Sequence, residues 1–257
     1  MKKVLLILID GLRPDAIEKA SHSFLNNFMH KCTYSKQAGS VFPSVTLPCH
    51  MSVFHSVTPE RHGVMENTYM RPVHKLDGIF EVLARNGKKC QFFYTWEELR
   101  DLGRPGSLAR QEFCSWSRYG KDADCRMCSR TIEAINNDQP DFVFYYTGHT
   151  DEMGHKYGWM SPEYMEAVDL ASENVQNLIE SLPEEYDVII TADHGGHDRV
   201  HGTRQKEDMV IPMMFYGKEW EQNREMNDIS LLDIAPTVAD LLNCPIPDEW
   251  EGKSLVL

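Results

Sequence analysis

The stretch that decides the fold lies at the start of the chain and reads Val4-Leu5-Leu6-Ile7-Leu8-Ile9-Asp10. An unbroken apolar run of this length, rich in branched side chains, predicts a short buried strand, and it ends at a carboxylate. Two later runs have the same form, because residues 141–146 and 188–192 each precede an aspartate and a histidine. Parallel strands place their carboxyl ends on one edge of a sheet, so we expect these polar side chains to converge there.

The side chains that follow the three runs are typical metal ligands. In chain order they are Asp10, Asp151, His155, Asp193 and His194, followed by His197 and His201. Asp151 and His155 are four residues apart, which places both on one face of a helical turn. Either of the last two histidines could complete the set. Carboxylates combined with imidazoles suit zinc or manganese, so the sequence predicts a metal site at this edge.

Apolar periodicity divides the rest of the chain into alternating strands and helices. The predicted strands cover residues 3–9, 90–94, 141–147, 186–192 and 210–216. The predicted helices cover residues 14–31, 46–57, 73–86, 121–137, 162–181 and 230–242, and residues 96–120 are predicted to be irregular. This alternation is typical of an α/β fold, here a three-layer sandwich with a mostly parallel central sheet. No repeat or linker interrupts it, so we expect one domain over residues 1–257.

Composition argues against several classes of protein. The 257 residues carry a formal net charge of −13, which disfavours binding to a nucleic-acid polymer but not to a small anionic substrate held at metal ions. Seven cysteines without a disulfide-like spacing predict a reducing compartment. The first apolar run is too short for a signal peptide, and no run is long enough to span a membrane. We therefore expect a cytoplasmic protein without a membrane partner, and the oligomeric state stays open.

A candidate nucleophile lies in the segment Phe42-Pro43-Ser44-Val45-Thr46-Leu47-Pro48-Cys49-His50, which leads into a predicted helix. A hydroxyl at a helix N-terminus lies beside free backbone N–H groups and the positive end of the helix dipole, which favours anions. Coordination to a metal would lower the pKa of such a hydroxyl and activate it near neutral pH. Residue spacing alone does not choose between Ser44, Thr46 and Cys49.

Taken in order, these segments resemble the alkaline phosphatase superfamily, and within it the nucleotide pyrophosphatase/phosphodiesterase branch. The matching motifs are Ile9-Asp10-Gly11, Phe-Pro-x-x-Thr-x-Pro-x-His at 42–50, Pro59-Glu60-Arg61-His62-Gly63-Val64, Asp-x-x-x-His at 151–155, Ala192-Asp193-His194-Gly195 and His201-Gly202. They extend over most of the chain, and the ordered set is far more specific than any single motif.

The resemblance implies a hydrolase with two divalent metal ions, zinc first and manganese as the alternative, bridged by the substrate phosphate. One ion would be held by Asp151, His155 and His201. The other would be held by Asp10, Asp193, His194 and the hydroxyl of Thr46. Thr46 matches the nucleophilic position, so the resemblance implies a phospho-threonine or nucleotidyl-threonine intermediate that activated water hydrolyses. Asn67 matches the asparagine that holds a phosphoryl oxygen.

The same resemblance orders the alternatives. Thr46 together with Asn67 favours a small-molecule phosphate diester over a monoester, whereas phosphonoacetate hydrolase shares the threonine and the ligand set. A sulfatase is not expected, because Cys49 does not lie in a C/S-x-P-x-R pattern. A cofactor-independent phosphoglycerate mutase would require a large inserted domain, for which 257 residues leave little room. A metal-binding protein without turnover is a further alternative, which an assay for hydrolysis distinguishes.

Several other residues carry weaker expectations. The candidates for the wall of a substrate pocket are aromatic, namely Trp96, Trp116, Tyr119, Tyr157 and Trp159. Segment 96–130 carries no nucleotide-binding signature, so the resemblance does not define the substrate. We expect Glu152 to be solvated and to point away from the metal site, and we expect Arg61 and His62 to be structural.

Overall fold

The computed structural model describes residues 2–72 and 75–256, and within them a single eight-stranded sheet forms the centre. The strands are β1 (Lys3–Ile9), β2 (Thr33–Gly39), β3 (Cys90–Tyr94), β4 (Arg110–Phe113), β5 (Phe142–Thr147), β6 (Tyr186–Thr191), β7 (Val210–Tyr216) and β8 (Arg224–Glu225). Their order across the sheet is β4-β3-β5-β1-β6-β7-β2-β8. β7 runs antiparallel to β6 and β2, and the other described pairings are parallel. The predicted α/β fold with a mostly parallel central sheet is confirmed.

β1 lies in the middle of the sheet, between β5 and β6, and its residues from Val4 to Ile9 are all buried. Helices cover both faces of a parallel sheet, so a central strand has no solvent-facing side and is apolar throughout. Ile9 pairs with Thr147 of β5, and Leu8 pairs with Thr191 of β6. This register aligns the carboxyl ends of three strands, so the residues that follow them begin at one edge of the sheet.

The helices of the described residues form two packed groups, apart from α10, which contacts β7. They are α1 (Pro14–Lys19), α2 (Phe24–Met29), α3 (Thr46–His55), α4 (Pro59–His62), α5 (Ile79–Arg85), α6 (Trp116–Tyr119), α7 (Asp122–Asp138), α8 (His149–Tyr157), α9 (Pro162–Glu180), α10 (Lys206–Met209) and α11 (Ile234–Leu241). α1, α2 and α6 to α9 pack together, as do α3, α4, α5 and α11, and both groups contact the sheet. None of these helices has the length and apolar character needed to cross a membrane.

Residues 14–31, predicted as one helix, form two short helices, α1 and α2. The chain leaves the helical path between them because His22 is bound to α9. Its backbone N–H donates to Asp169 Oδ1 at 2.8 Å, and its ring Nδ1 lies 2.9 Å from Ser172 Oγ. Tertiary contacts with a distant helix therefore override the helical spacing of the local apolar residues.

β2 and β4 are strands that the sequence does not predict. β2 contains Thr, Ser, Lys and Gln and pairs antiparallel with β7, whereas β4 lies at the outer edge of the sheet beside β3. Strands with polar sequences near a sheet edge lack the apolar run that identified β1. Residues 96–120, predicted to be irregular, contain β4, α6 and a 3₁₀ helix at Glu97–Leu102.

Two predicted helices begin later than expected. The helix predicted at 73–86 begins at Ile79, where the N–H of Gly78 donates to Glu81 Oε2 at 2.8 Å and caps the first turn. Val73, the first residue of that prediction, and His74 lie outside the described residues. The helix predicted at 230–242 starts as a 3₁₀ turn at Leu231–Asp233 and continues as α11.

Candidate metal centre and active site

Three segments bring the predicted ligands to the carboxyl edge of the sheet. Asp10 follows β1, residues 193–194 follow β6, and Asp151 lies in the first turn of α8, directly after β5. Gly11 has a φ of +66°, and a Cβ there would lie 3.2 Å from the Cα of Asp151. A glycine at this position therefore allows α8 to approach the end of β1 closely.

The first ligand group contains Asp151, His155 and His201. Asp151 Oδ2 is 3.4 Å from His155 Nε2, and Asp151 Oδ1 is 3.7 Å from His201 Nε2. The two Nε2 atoms are 3.0 Å apart, and one ligand atom from each residue lies within 4.8 Å of the others. These positions suit one shared cation.

The second ligand group adjoins the first. His194 Nε2 is 3.3 Å from Asp10 Oδ1 and 3.4 Å from Asp193 Oδ2. Asp10, Asp151 and His194 also place ligand atoms within 4.8 Å of one another, so Asp151 reaches both groups. The rings of His194 and His201 stack with their centroids 3.7 Å apart. The arrangement therefore resembles two neighbouring cation positions rather than two separate sites.

Backbone carbonyl groups orient the three imidazoles. The Nδ1 atoms of His155, His194 and His201 lie 3.0, 2.8 and 2.8 Å from backbone oxygens. A carbonyl oxygen only accepts hydrogen bonds, so each Nδ1 carries the proton and each Nε2 presents a lone pair to the cluster. Burial lowers the pKa of His194 to about 4 and that of His201 to about 3, so both rings are neutral at neutral pH.

The carboxylates of the cluster fit divalent cations. Within the described residues, Asp10 Oδ1, Asp151 Oδ1 and Asp193 Oδ2 are buried without a hydrogen-bond partner. Burial first, and then the neighbouring carboxylates, raises the pKa of Asp10 and of Asp151 well above the ordinary aspartate value. Unsatisfied buried carboxylates are costly in free energy, and a bound cation would offset that cost. Oxygen and imidazole nitrogen donors suit zinc or manganese.

The geometry separates the three candidate nucleophiles. Thr46 is the first residue of α3, lines the same cavity as the first ligand group and Asp10, and places Oγ1 3.2 Å from His194 Nε2. Ser44 Oγ instead donates to a backbone carbonyl at 2.9 Å. Cys49 is buried, and burial raises the pKa of its thiol well above the ordinary value. Of the three, Thr46 has its reactive atom at the ligand cluster.

Asn67 lies beside the start of α3. Its Oδ1 accepts a hydrogen bond from the N–H of Leu47 at 3.0 Å, and the residue lines the same cavity as Thr46. Because the carboxamide oxygen is used in this way, its NH₂ group is left as a donor. The side chain is therefore placed to donate a hydrogen bond to an oxygen atom bound near Thr46.

His197 and His201, the two candidates for the last imidazole, lie in different environments. His201 joins the first ligand group, whereas His197 Nδ1 contacts Asp208 Oδ1 at 2.7 Å. Asp208 is fully buried and also accepts hydrogen bonds from the N–H and the hydroxyl of Thr203, at 2.8 and 2.7 Å. His197 therefore helps to order the loop that carries His201.

A cavity of about 190 Å³ opens beside these side chains. Trp96 and Trp116, two of the five aromatic candidates, line it, and so does Glu152. Glu152 was expected to be solvated and to point away from the site. It is instead half-buried in this wall, because it lies in the first turn of α8, next to Asp151.

The other three aromatic candidates do not line this cavity. Tyr119 and Tyr157 line other cavities of the described surface. Trp159 is buried, and its indole N–H donates to the carbonyl of Gly11 at 2.9 Å. Arg61 and His62 are structural as expected, since Arg61 pairs with Glu251 at 3.0 Å and His62 is buried against α3.

Further residues that support the site carry no recognisable sequence signal. The hydroxyl of Tyr146 donates to Asp10 Oδ2. Asp124, fully buried in the first turn of α7, accepts hydrogen bonds from hydroxyl groups that follow β3 and end β5, and from the N–H of His149. It therefore ties two strand ends to the start of α8. An isolated aspartate near a helix start has the pattern of a simple capping residue, so only the three-dimensional structure identifies this role.

Gly154 lies between the two ligands of α8 and contacts Trp159. A Cβ at Gly154 would be 2.7 Å from Cε2 of that ring. We expect Gly154→Ala to lower the free energy of unfolding by about 1–3 kcal/mol, because the buried indole has little room to move. Helix propensity alone favours alanine by about 1 kcal/mol, so the direction of the shift in the urea midpoint tests the packing. A higher urea midpoint for Gly154→Ala would show that the Trp159 ring moves readily to make room for the methyl group.

The fold and the clustered side chains define an α/β protein of the alkaline-phosphatase-like class. The family described as type I phosphodiesterase / nucleotide pyrophosphatase matches residues 4–210. The chain belongs to this family, which confirms the resemblance drawn from its motifs.

The curated relatives carry more than one named activity. Human ectonucleotide pyrophosphatase/phosphodiesterase family member 7 is 27% identical over 218 residues, which cover 75% of this chain and 47% of the relative. A 2,3-bisphosphoglycerate-independent phosphoglycerate mutase from Saccharophagus degradans is 31% identical over 272 residues, covering 97% of this chain and 50% of the relative. The chain spans about half the length of these two relatives.

Among solved structures, an inactive form of murine ectonucleotide pyrophosphatase/phosphodiesterase 5 in complex with AMP has a TM-score of 0.82 at 15% identity, and the match covers 98% of each chain. A 2-O GAG sulfatase has a TM-score of 0.83 at 14% identity, covering 99% of this chain and 73% of the other. At these identities the similarity confirms the fold and leaves the chemistry to be argued from the site.

Proposed function

We propose that this protein hydrolyses small phosphate diesters, as a metal-dependent hydrolase of the phosphodiesterase/nucleotide pyrophosphatase type, with Thr46 as the nucleophile. The observation that carries the proposal is the position of Thr46 Oγ1, at the N-terminus of α3 and 3.2 Å from His194 Nε2, in one cavity with the first ligand group and Asp10. Membership of the type I phosphodiesterase family supports a hydrolase. We further propose that residues 1–257 act as one domain.

Two divalent ions, zinc or manganese, would occupy the two ligand groups. One would be held by Asp151, His155 and His201. The other would be held by Asp10, Asp193, His194 and the Thr46 hydroxyl. When bound, such ions lower the pKa of a coordinated hydroxyl and offset the negative charge of the phosphate.

The proposed reaction consists of two successive displacements at phosphorus. Thr46 Oγ forms a bond to phosphorus while the bond from phosphorus to the departing alcohol breaks on the opposite side. The positive end of the α3 dipole favours an anionic oxygen there, and the NH₂ group of Asn67 donates to a phosphoryl oxygen. Water next forms a bond to phosphorus while the bond to Thr46 Oγ breaks. A proton from the water restores the Thr46 hydroxyl, and the product is the phosphate monoester of the second alcohol.

The choice of ester is directly testable. We expect purified protein supplied with zinc or manganese to hydrolyse bis-p-nitrophenyl phosphate with a higher kcat/KM than p-nitrophenyl phosphate. The physical reason is that a monoester dianion brings an additional negative charge to a cavity whose described lining includes Asp10, Asp151 and Glu152 but neither Lys nor Arg. The measurement is the release of p-nitrophenolate from each ester at equal metal concentration.

The other possible outcomes of this assay indicate other activities. Preference for the monoester would assign a phosphomonoesterase, and cleavage of phosphonoacetate alone would assign a phosphonate hydrolase that uses the same threonine. Absence of turnover on every phosphoester and phosphonate, with metal bound, would show a metal-binding protein without this activity.

A further inference from the structure

Glu152 is a half-buried carboxylate in the wall of the candidate active-site cavity. Within the part of the chain that the structure describes, its side chain forms neither a hydrogen bond nor an ion pair. The predicted metal ligands do not include it, and the described residues that line the cavity include neither lysine nor arginine. Its negative charge therefore faces the space in which a substrate would lie.

The surroundings of Glu152 are aromatic. His149 and Glu152 are three residues apart in α8, so they share one face of that helix. The indole N–H of Trp116 donates to His149 Nδ1 at 3.3 Å, which ties Trp116 to α8. Trp96 lines the same cavity. Lys121 lies beyond His149 and lines a separate cavity.

The Glu152 carboxylate is left over when the charges of the metal ions, their ligands and a bound phosphate diester are compared. Two divalent ions would offset the three aspartates of the ligand groups and the single charge of a phosphate diester. Glu152 then remains without a counter-charge. A further negative group on the substrate would meet this carboxylate in a cavity that two indole rings also line, where water screens charges less than it does in bulk.

We propose that the site selects phosphodiesters whose ester groups bring no further negative charge, and that Glu152 is the residue that determines this specificity. The inference rests on the proposed function and adds the class of substrate. Pyrophosphates and diesters of phosphate-bearing alcohols are disfavoured. Diesters of neutral alcohols are accepted, and diesters of organic cations are favoured, because indole faces and a carboxylate both attract a cation.

The test uses p-nitrophenyl phosphodiesters that differ only in the charge of the second alcohol. That alcohol is choline, its uncharged isostere 3,3-dimethylbutanol, or the anionic 2-hydroxyethanesulfonate. We expect kcat/KM of the metal-loaded protein to fall in this order, with the anionic ester about tenfold or more below the neutral one. In Glu152→Gln the ratio of kcat/KM for the anionic ester to that for the neutral ester should rise about tenfold. In Glu152→Lys the order should invert.

A matched control is Glu163→Gln, which removes a carboxylate from the neighbouring cavity at the start of α9 and should leave the ratio as in the wild type. An unchanged ratio in Glu152→Gln, or a wild-type protein that prefers the anionic ester, would overturn the assignment of Glu152. If the neutral ester is hydrolysed and kcat/KM does not depend on the charge of the second alcohol, the specificity assigned to Glu152 is wrong but the proposed function stands. If the neutral ester is not hydrolysed, the proposed function is contradicted as well.

Discussion

Thr46→Ala should reduce turnover of bis-p-nitrophenyl phosphate by about 10⁴-fold or more, because deletion of a covalent nucleophile removes the first displacement altogether. The side chain is small and lies at the first turn of α3, so the fold should persist. Metal content should also persist, because Asp10, Asp193 and His194 remain to hold the nearby ion. Initial rates and elemental analysis of the same sample would measure both effects.

Two control variants distinguish the nucleophile from its neighbours. Thr46→Ser keeps a hydroxyl at the same position and should retain activity within about tenfold of the wild type. Ser44→Ala removes a hydroxyl that donates to the backbone carbonyl of Thr203, and its effect should be much smaller than that of Thr46→Ala. In the wild type turning over bis-p-nitrophenyl phosphate, rapid acid quenching followed by mass spectrometry should find one p-nitrophenyl phosphoryl group esterified to the peptide that contains Thr46. Near-normal turnover by Thr46→Ala would disprove the assignment.

The parts of the structure that the sequence predicts are those with a strong local pattern. β1 and β6 are buried on both faces, so residues 4–9 and 188–190 are apolar runs, and their ends are visible as changes from apolar to polar or charged residues. Since parallel strands share one carboxyl edge, the clustering of Asp10, Asp151 and Asp193 follows from the order of elements alone. The sequence thus predicts the position of the site better than it predicts the helices around it.

The parts that it does not predict depend on contacts between distant residues. The break between α1 and α2 requires Asp169 and Ser172 of α9, which no local pattern reveals. Asp124 resembles an ordinary helix-start residue until its partners at two strand ends are known. Glu152 was expected to face solvent because neighbouring residues on a helix point apart, yet the walls around α8 enclose it in the cavity.

Asp193→Asn should lower the metal content from about two ions per chain to about one, because one of the carboxylates of the second ligand group loses its charge. We expect the Asp193→Asn variant to fold. Asp193 Oδ1 accepts hydrogen bonds from the N–H groups of Gly11 and His194 at 3.2 and 3.0 Å, and an asparagine oxygen can accept both. The new NH₂ group would take the place of Oδ2, 3.4 Å from His194 Nε2, and could donate to it. The variant thus replaces a cation position with a hydrogen bond.

This substitution has opposite effects on stability in the absence and presence of metal, which separates a ligand from a merely structural carboxylate. In excess chelator, Asp193→Asn should unfold at a higher temperature than the wild type, because the cluster then contains one fewer unsatisfied buried charge. With zinc, the melting temperature of the wild type should rise by more than that of Asp193→Asn. Ligand at a hundred times its dissociation constant stabilises a protein by about 2.7 kcal/mol per site. Asp187→Asn, at the other end of β6, is the matched control and should leave metal content unchanged. If Asp193→Asn retains full metal occupancy, or if zinc raises the melting temperature of both proteins equally, Asp193 is not a ligand.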